Sequence, residues 1–283
     1  MNSLPAEWEL DYYSRPLLDP KGKKRWELLL SSSNNNFRFE RFCGAESVNS
    51  QWLKQAISDA LAEAEAKNIQ IAPRLRCWRN SMRTMVQRAA ESLDLEVIPS
   101  RRCYALQQWL QEREASVYPA MEGYQVGPLA PPATPIRPIA LPLPDAVRGE
   151  QWSWASLTAE SLQDASQWPI DFSGLIPLPK LEPGVAVPGL RLFSPSRSLA
   201  VAGWLSGLEP VRLEVRDQQL VLEAGMEDRW LVSDLEPEAA IAARQVLSDA
   251  RNNAAGLQFI AVQSSETVSN FSGFWLLRDL PDV

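Results

Sequence analysis

The 283-residue sequence predicts two α/β (α+β) domains joined by a proline-rich segment. The chain exceeds the ~100–200 residues of an ordinary single domain. Short apolar stretches of strand period alternate with longer ones of helical period in both halves. Between the halves, residues 119–149 carry eight prolines, with the run 131–138 (PPATPIRP) at the centre, and read as an extended polyproline-type spacer. The expected boundaries are therefore 1–118 for an N-terminal domain, 119–149 for the linker and 150–283 for a C-terminal domain.

In the first domain, 8–13 and 24–30 read as strands joined by a turn at Asp19-Pro20-Lys21-Gly22, and 37–42 as a third strand after the polar loop 31–36. A helix is expected over about 48–67, with Trp52, Ala56, Ala60 and Ala64 at a spacing of four. Pro73 opens a short strand over 74–79. Asn80 or Ser81 can cap the following helix, whose apolar residues Met82, Met85, Val86, Ala89 and Leu93 repeat as one buried face. A strand over 95–98 ends at Pro99, and a last helix over about 103–115 turns Leu106, Trp109 and Leu110 inward. The resulting order, βββαβαβα, is that of a ribonuclease H-like domain, although order alone leaves other α/β folds open.

In the second domain, 152–157 reads as a strand and 169–188 as a second proline-rich stretch. Ser196 and Gly207 bracket a helix. Strands over 211–215, 220–224 and 229–232 precede a helix that Pro237 opens and Gly256 caps, and strands over 257–262 and 271–277 end the chain. The succession of three strands, a helix and a strand echoes the first half in order, without residue identity that would make it a repeat.

Histidine is absent, which excludes serine–histidine, cysteine–histidine and zinc–histidine chemistry. Cys43, Cys77 and Cys103 form no Cys-x-x-Cys pair and read as buried thiols. Neither phosphate-loop pattern, Gly-x-x-x-x-Gly-Lys-Ser/Thr or Gly-x-Gly-x-x-Gly, occurs. No apolar run approaches the roughly 18 residues of a membrane span. The start of the chain reaches a strand by Trp8, leaving no room for a signal sequence, so a cytoplasmic location is expected. No cofactor is expected.

Charge is unevenly distributed. Residues 1–118 hold 17 Lys+Arg against 15 Asp+Glu, a net of +2, and the remainder 11 against 20, a net of −9. Within 74–102 every cation is an arginine: Arg74, Arg76, Arg79, Arg83, Arg88, Arg101 and Arg102, against Glu91, Asp94 and Glu96. Strand alternation sends Arg74, Arg76 and Trp78 to one face and Leu75 and Cys77 to the other. Cations beside an aromatic platform suit single-stranded nucleic acid, in which phosphates are neutralised and bases stack. Arg15, Lys23 and Lys24 are further candidate contacts. Two readings of this patch are open. Either the arginines contact RNA, or they pair with Glu91, Asp94 and Glu96 around an ordinary surface, with Trp78 in the core.

Asp11, on the first strand, falls where nucleases of a ribonuclease H-like fold hold a first metal-binding carboxylate. Two-metal chemistry needs several converging acids. Glu112 and Glu114 on the last helix are the candidates, and a solvated helix face explains them equally. No catalytic or metal-binding residue is assigned.

Six segments resemble the Tab/Atab family: 8–19 (WELDYYSRPLLD), 22–28 (GKKRWEL), 76–82 (RCWRNSM), 99–103 (PSRRC), 199–209 (LAVAGWLSGLE) and 273–281 (GFWLLRDLP). The resemblance spans both domains. It implies an RNA-binding protein of a cyanobacterial type, related to plastid factors that activate translation of photosystem I reaction-centre messages through the 5′ untranslated region. RNA is then the partner, and the acidic second domain is left to face other proteins. A protein-only assembly adaptor is the alternative, with a magnesium-dependent nuclease behind it.

Overall fold

The structure, a computed structural model, describes residues 7–126, 139–145 and 147–280. The proline run at 131–138 lies outside them. The chain divides into two compact units, 5–137 and 138–282.

The first unit runs β1 (Trp8–Leu18), β2 (Lys24–Ser32), β3 (Arg38–Cys43), α1 (Ser50–Ala66), β4 (Arg74–Cys77), α2 (Arg83–Ala90), β5 (Glu96–Pro99) and α3 (Tyr104–Glu112). These elements follow the expected order. Their sheet is ordered β3-β2-β1-β4-β5, with β1, β2 and β3 antiparallel and β4 and β5 parallel to β1. Local chemistry sets the turns and caps. Asp19 Oδ1 accepts from the amides of Lys21 and Lys23 at 2.9 and 2.8 Å, closing the β1–β2 turn around left-handed Gly22 (φ +77°). Asn49 caps α1 by accepting from Trp52 N at 2.9 Å. Met82, within the 3-10 turn Asn80–Met82, stands at the N-cap of α2, so neither Asn80 nor Ser81 caps that helix.

Period-two alternation gives the sheet two different faces. Trp8, Leu10, Tyr12, Leu28, Leu30, Leu75 and Cys77 pack with α1 and α2. Leu17 and Leu29 pack under Leu106, Trp109 and Leu110 of α3 and under Tyr118. Residues of β1 and β2 that alternate with the first set, Glu9, Asp11 and Glu27, are charged and buried.

Two boundaries differ from expectation. Strand β1 continues to Leu18 through a bulge between Ser14 and Leu18. Its far end is held by the segment after α3: Leu18 N donates to Gly123 O at 2.9 Å, and Gln125 N donates to Pro16 O at 2.9 Å. The first unit therefore reaches past residue 118. At Gly123 (φ +84°) a Cβ would lie 2.1 Å from Leu18 O, so glycine is required there.

The second unit contains β6 (Leu141–Pro142), β7 (Gln151–Thr158), α4 (Ala159–Leu162), β8 (Ile170–Gly174), β9 (Ala186–Phe193), α5 (Ser198–Leu208), β10 (Pro210–Arg216), β11 (Gln219–Ala224), β12 (Asp228–Asp234), α6 (Pro237–Asn253), β13 (Leu257–Gln263) and β14 (Phe271–Arg278). They form two sheets, β7-β9-β13-β14-β8 and β10-β11-β12-β6. The proline-rich stretch 169–188 thus hides β8 and the start of β9. Pro188 lies opposite Ser156 of β7 and just before Gly189, where β9 begins to pair with β13, so no β13 residue is in register with it. The echo of the first half is one of order alone: β13 pairs with β9 and β14, not with β10, β11 or β12.

A buried amide links the two sheets. Gln258 Oε1 accepts from Leu213 N at 2.8 Å, and Gln258 Nε2 donates to Leu213 O at 3.3 Å. Helix α6 starts at Pro237 as expected and ends with Gly256 N donating to Ala250 O at 3.1 Å, both Ala255 and Gly256 being left-handed.

Candidate nucleic-acid interface

Burial sorts the candidate residues. Arg74 is exposed, its Nε 3.4 Å from Glu96 Oε2 on neighbouring β5. Arg83 and Arg88 lie exposed on α2, and neither has a carboxylate partner among the described residues. Lys23 and Lys24 are exposed beside the β1–β2 turn. Arg101 and Trp78 are half-buried. Arg15, Arg76 and Arg102 are buried, at 2, 5 and 2% exposure, and this takes them off any surface open to RNA. Leu75 and Cys77 do point into the α1–α2 core. The opposite side of β4, however, is not open: Arg76 is buried and pairs with Glu7, and Trp78, just after the strand, packs against the cluster of Leu106, Trp109 and Leu110. A strand in the middle of a two-layered sheet has no free face, which alternation by itself does not reveal.

The buried charges form one network. Arg15 donates from Nη1 to Asp11 Oδ2 at 2.9 Å and from Nε to Glu27 Oε2 at 2.8 Å, all three side chains being fully buried. From the other side Arg79 Nε donates to Asp11 Oδ1 at 2.7 Å. Glu27 also receives Arg113 Nη2 at 2.5 Å and the Tyr118 hydroxyl at 2.5 Å, and Arg113 goes on to pair with Glu40. Arg113 begins a π-helical turn, Arg113–Val117, that continues α3. Glu9 Oε2 accepts from Leu106 N at 2.8 Å, acting as a distant cap for α3, whose own N-cap residue, Cys103, makes no side-chain cap bond.

These contacts shift the carboxyl groups in different directions. Burial alone would push the Asp11 carboxyl up, but the charges and hydrogen bonds of Arg15 and Arg79 outweigh it and hold it below the ordinary carboxylate value. At Glu27 burial dominates and the carboxyl is raised, although Arg15, Tyr118 and Arg113 pull it back. Burial likewise raises Glu114, whose Oε1 is buried without a hydrogen-bond partner among the described residues and which feels the charges of Arg15, Arg79 and Asp11. Glu112 stays exposed and pairs with Arg38 at 2.7 Å. Cys77, pushed up to about 12 mainly by burial, is an inert thiol. Cys103 is buried too, Cys43 is half-buried, and none of the three is in a disulfide among the described residues.

Arg79 joins the buried network to the surface. It lies just beyond the carboxyl end of β4, beside β1, with its side chain 20% exposed. Its guanidinium lies 4.3 Å from the Tyr13 ring centre and 4.7 Å from that of Trp78. Sequence reading missed Tyr13, Glu27, Arg113 and Tyr118. The available signal was a pair of acids, Asp11 and Glu27, with Arg15 four residues on, in otherwise apolar strands.

Residues 7–113 match the family described as RNA-binding protein Tab2/Atab2 N terminal, and residues 130–278 match RNA-binding protein Tab2/Atab2, C-terminal domain. The chain is 32% identical to the Protein TAB2 homolog, chloroplastic, of Zea mays over 97% of its own length and 72% of that protein. To the protein of the same description from Arabidopsis thaliana it is 29% identical, over 97% of its own length and 75% of that protein. A chain of the cryoEM structure of simian T-cell lymphotropic virus intasome in complex with PP2A regulatory subunit B56 gamma aligns over 82% of this chain and 80% of its own. Its TM-score is 0.26 at 9% identity, too low to bear on fold or function. No helix is long and apolar enough to cross a membrane among the described residues. By both halves of its sequence, the chain belongs to the Tab2/Atab2 family of RNA-binding proteins.

Proposed function

We propose that this protein is a non-catalytic, cytoplasmic RNA-binding factor of a cyanobacterial type. It supports translation or biogenesis of photosystem proteins by binding single-stranded RNA of 5′ untranslated regions. The observation that carries the RNA-contacting surface is the arginine rim of the first unit: Arg83 and Arg88 are exposed without carboxylate partners among the described residues, and Arg74 is exposed near them in sequence with a single long ion pair. Arginines free of carboxylates are poised to neutralise phosphates and release counterions. The sheet order β3-β2-β1-β4-β5 supports a ribonuclease H-like reading of the first unit. Two guanidiniums clamp Asp11, the carboxylate a nuclease of that fold would offer to metal, and a cation could bind only by displacing them. This supports the non-catalytic reading. The net charge of −9 in the second half would repel RNA and leaves that unit for protein partners.

Binding of a labelled single-stranded oligoribonucleotide, measured across a salt series, tests the reading. Affinity is expected to fall linearly with log salt. The double variant Arg83→Ala/Arg88→Ala is expected to reduce the slope by about 0.7 for each phosphate it no longer neutralises. No binding at low salt would leave the protein-only adaptor in its place. Magnesium-dependent cleavage that disappears with Asp11→Asn would restore the nuclease reading. Crosslinking in cells followed by sequencing would show whether messages for photosystem proteins are enriched.

A further inference from the structure

Resting on the RNA-binding reading, we propose that Tyr13, Trp78 and Arg79 form a seat for one nucleotide of single-stranded RNA. The terminal nitrogens of Arg79 hold its phosphate, and the adjoining base lies against the aromatic pair.

The place follows from topology. In the order β3-β2-β1-β4-β5 the chain leaves β1 toward β2 on one side, while β4 and β5 are added on the other. Between two parallel strands whose connections run in opposite directions, the carboxyl ends part and leave a crevice, the usual place for ligands in open α/β sheets. Here the parting begins after Leu10, the last residue of β1 paired with β4, where Trp78 N still donates to Leu10 O at 3.2 Å. Tyr13 on one side and Trp78, Arg79 and Asn80 on the other are the residues there that reach solvent, above the buried Asp11.

The chemistry follows from how Arg79 is held. Its Nε is committed to Asp11 at 2.7 Å, and the terminal nitrogens have no partner among the described residues. Asp11 is itself immobilised by Arg15. A guanidinium pinned at its inner nitrogen and flanked by two rings has already lost most of its rotamer freedom, so binding a phosphate through its outer fork costs little further ordering. Behind it, Arg15 keeps Nη2 buried without a hydrogen-bond partner among the described residues, so the local donors are not exhausted. The opposing charge at the site is Asp11, which Arg15 and Arg79 share, and burial raises the carboxyl of Glu114, which also feels Arg79. Tyr13 and Trp78 are each half-buried, leaving ring surface for a base, and stacking on such surface is tolerant of base identity.

The full-length protein is tested with single-stranded RNA carrying 5-iodouridine, irradiated and digested for mass spectrometry, alongside affinity measurements on Arg79→Lys and Trp78→Leu. Crosslinks are expected on Tyr13 or Trp78. Arg79→Lys, which retains the charge beside Asp11 but loses the fork, is expected to weaken binding about tenfold, and Trp78→Leu to lower the crosslink yield. If either variant misfolds, the wild-type crosslink map decides alone. Wild-type binding with crosslinks confined to other segments would overturn the nucleotide seat and leave the RNA-binding reading intact. Absence of wild-type binding would remove both.

Discussion

Arg15 in the first unit and Arg212 in the second are both buried arginines that bridge two carboxylates, and their surroundings separate two uses of the same group. Arg15 joins Asp11 and Glu27 with every side chain fully buried, and the network runs on through Arg113 and Tyr118 to the end of α3. Arg212 joins Glu223, its register partner on β11, to Asp279 beyond β14, with these side chains 9, 2 and 13% exposed. Asp279 is shared with Arg251, and Glu223 with Arg229. The second network ties strands together near the surface, where its acids have substitute partners and some water. The first carries charge into the centre of a unit and presents it to solvent again at Arg79 and, through Arg113, at Glu40. Buried charge is thus structural in both units, and only in the first does it run through fully buried side chains before reaching the surface.

The largest expected effect tests that contrast directly. Arg15→Met strips one cation from two buried acids and is expected to cost about 3–5 kcal/mol. Arg212→Met leaves Arg251 and Arg229 in place and should cost about 1–3 kcal/mol. Urea unfolding followed by circular dichroism measures both, and equal losses would erase the distinction. A smaller effect concerns pH. Asp11 has a folded value below its unfolded one of about 4, so its stabilisation is complete above that pH and is lost as pH falls through the folded value. Glu27, raised in the folded state, works in the opposite sense: its contribution is present at low pH and is lost as pH rises through its folded value. Asp11→Asn is therefore expected to lose less of its urea midpoint between pH 5 and pH 3 than the parent does, and a parallel decline in the two proteins would contradict this. The smallest effect belongs to Arg74→Ala. Its exposed pair with Glu96 is worth about 0–1 kcal/mol, so the unfolding midpoint should barely move. Its salt slope for RNA should still drop by about 0.7 if Arg74 meets a phosphate.

Element order in the first unit was legible because its strands and helices carry clear periods, from Trp8 in β1 to the Leu106, Trp109 and Leu110 face of α3. The continuation of β1 past Tyr13 was not, because Ser14-Arg15-Pro16 reads as a polar break. What keeps it in the sheet is a bulge and an arginine whose partner lies on the next strand. Strands β8 and β9 were hidden by the prolines in and around them, Pro188 among them, which lies inside β9 opposite Ser156 of β7. At the candidate site, composition exposed the arginines but not their depth: Arg76 and Arg102 look like Arg83 and Arg88 in sequence, and only the folded chain buries the first two and leaves the others on the open side of α2. Nor does sequence place Arg79 beside Asp11, 68 positions away, which requires the parallel pairing of β1 with β4.

Gln258 carries a consequence of its own. Strand β10 ends its sheet, and an edge strand with free N–H and C=O groups invites pairing with another chain. By engaging both polar groups of Leu213, the buried amide serves as a surrogate neighbour one residue long. It also meters the alignment of the two sheets, since a slip of one residue would leave amide and backbone unmatched together. A single glutamine facing inward thereby guards, at this position, an edge that other proteins shield with lysine or proline on the outside.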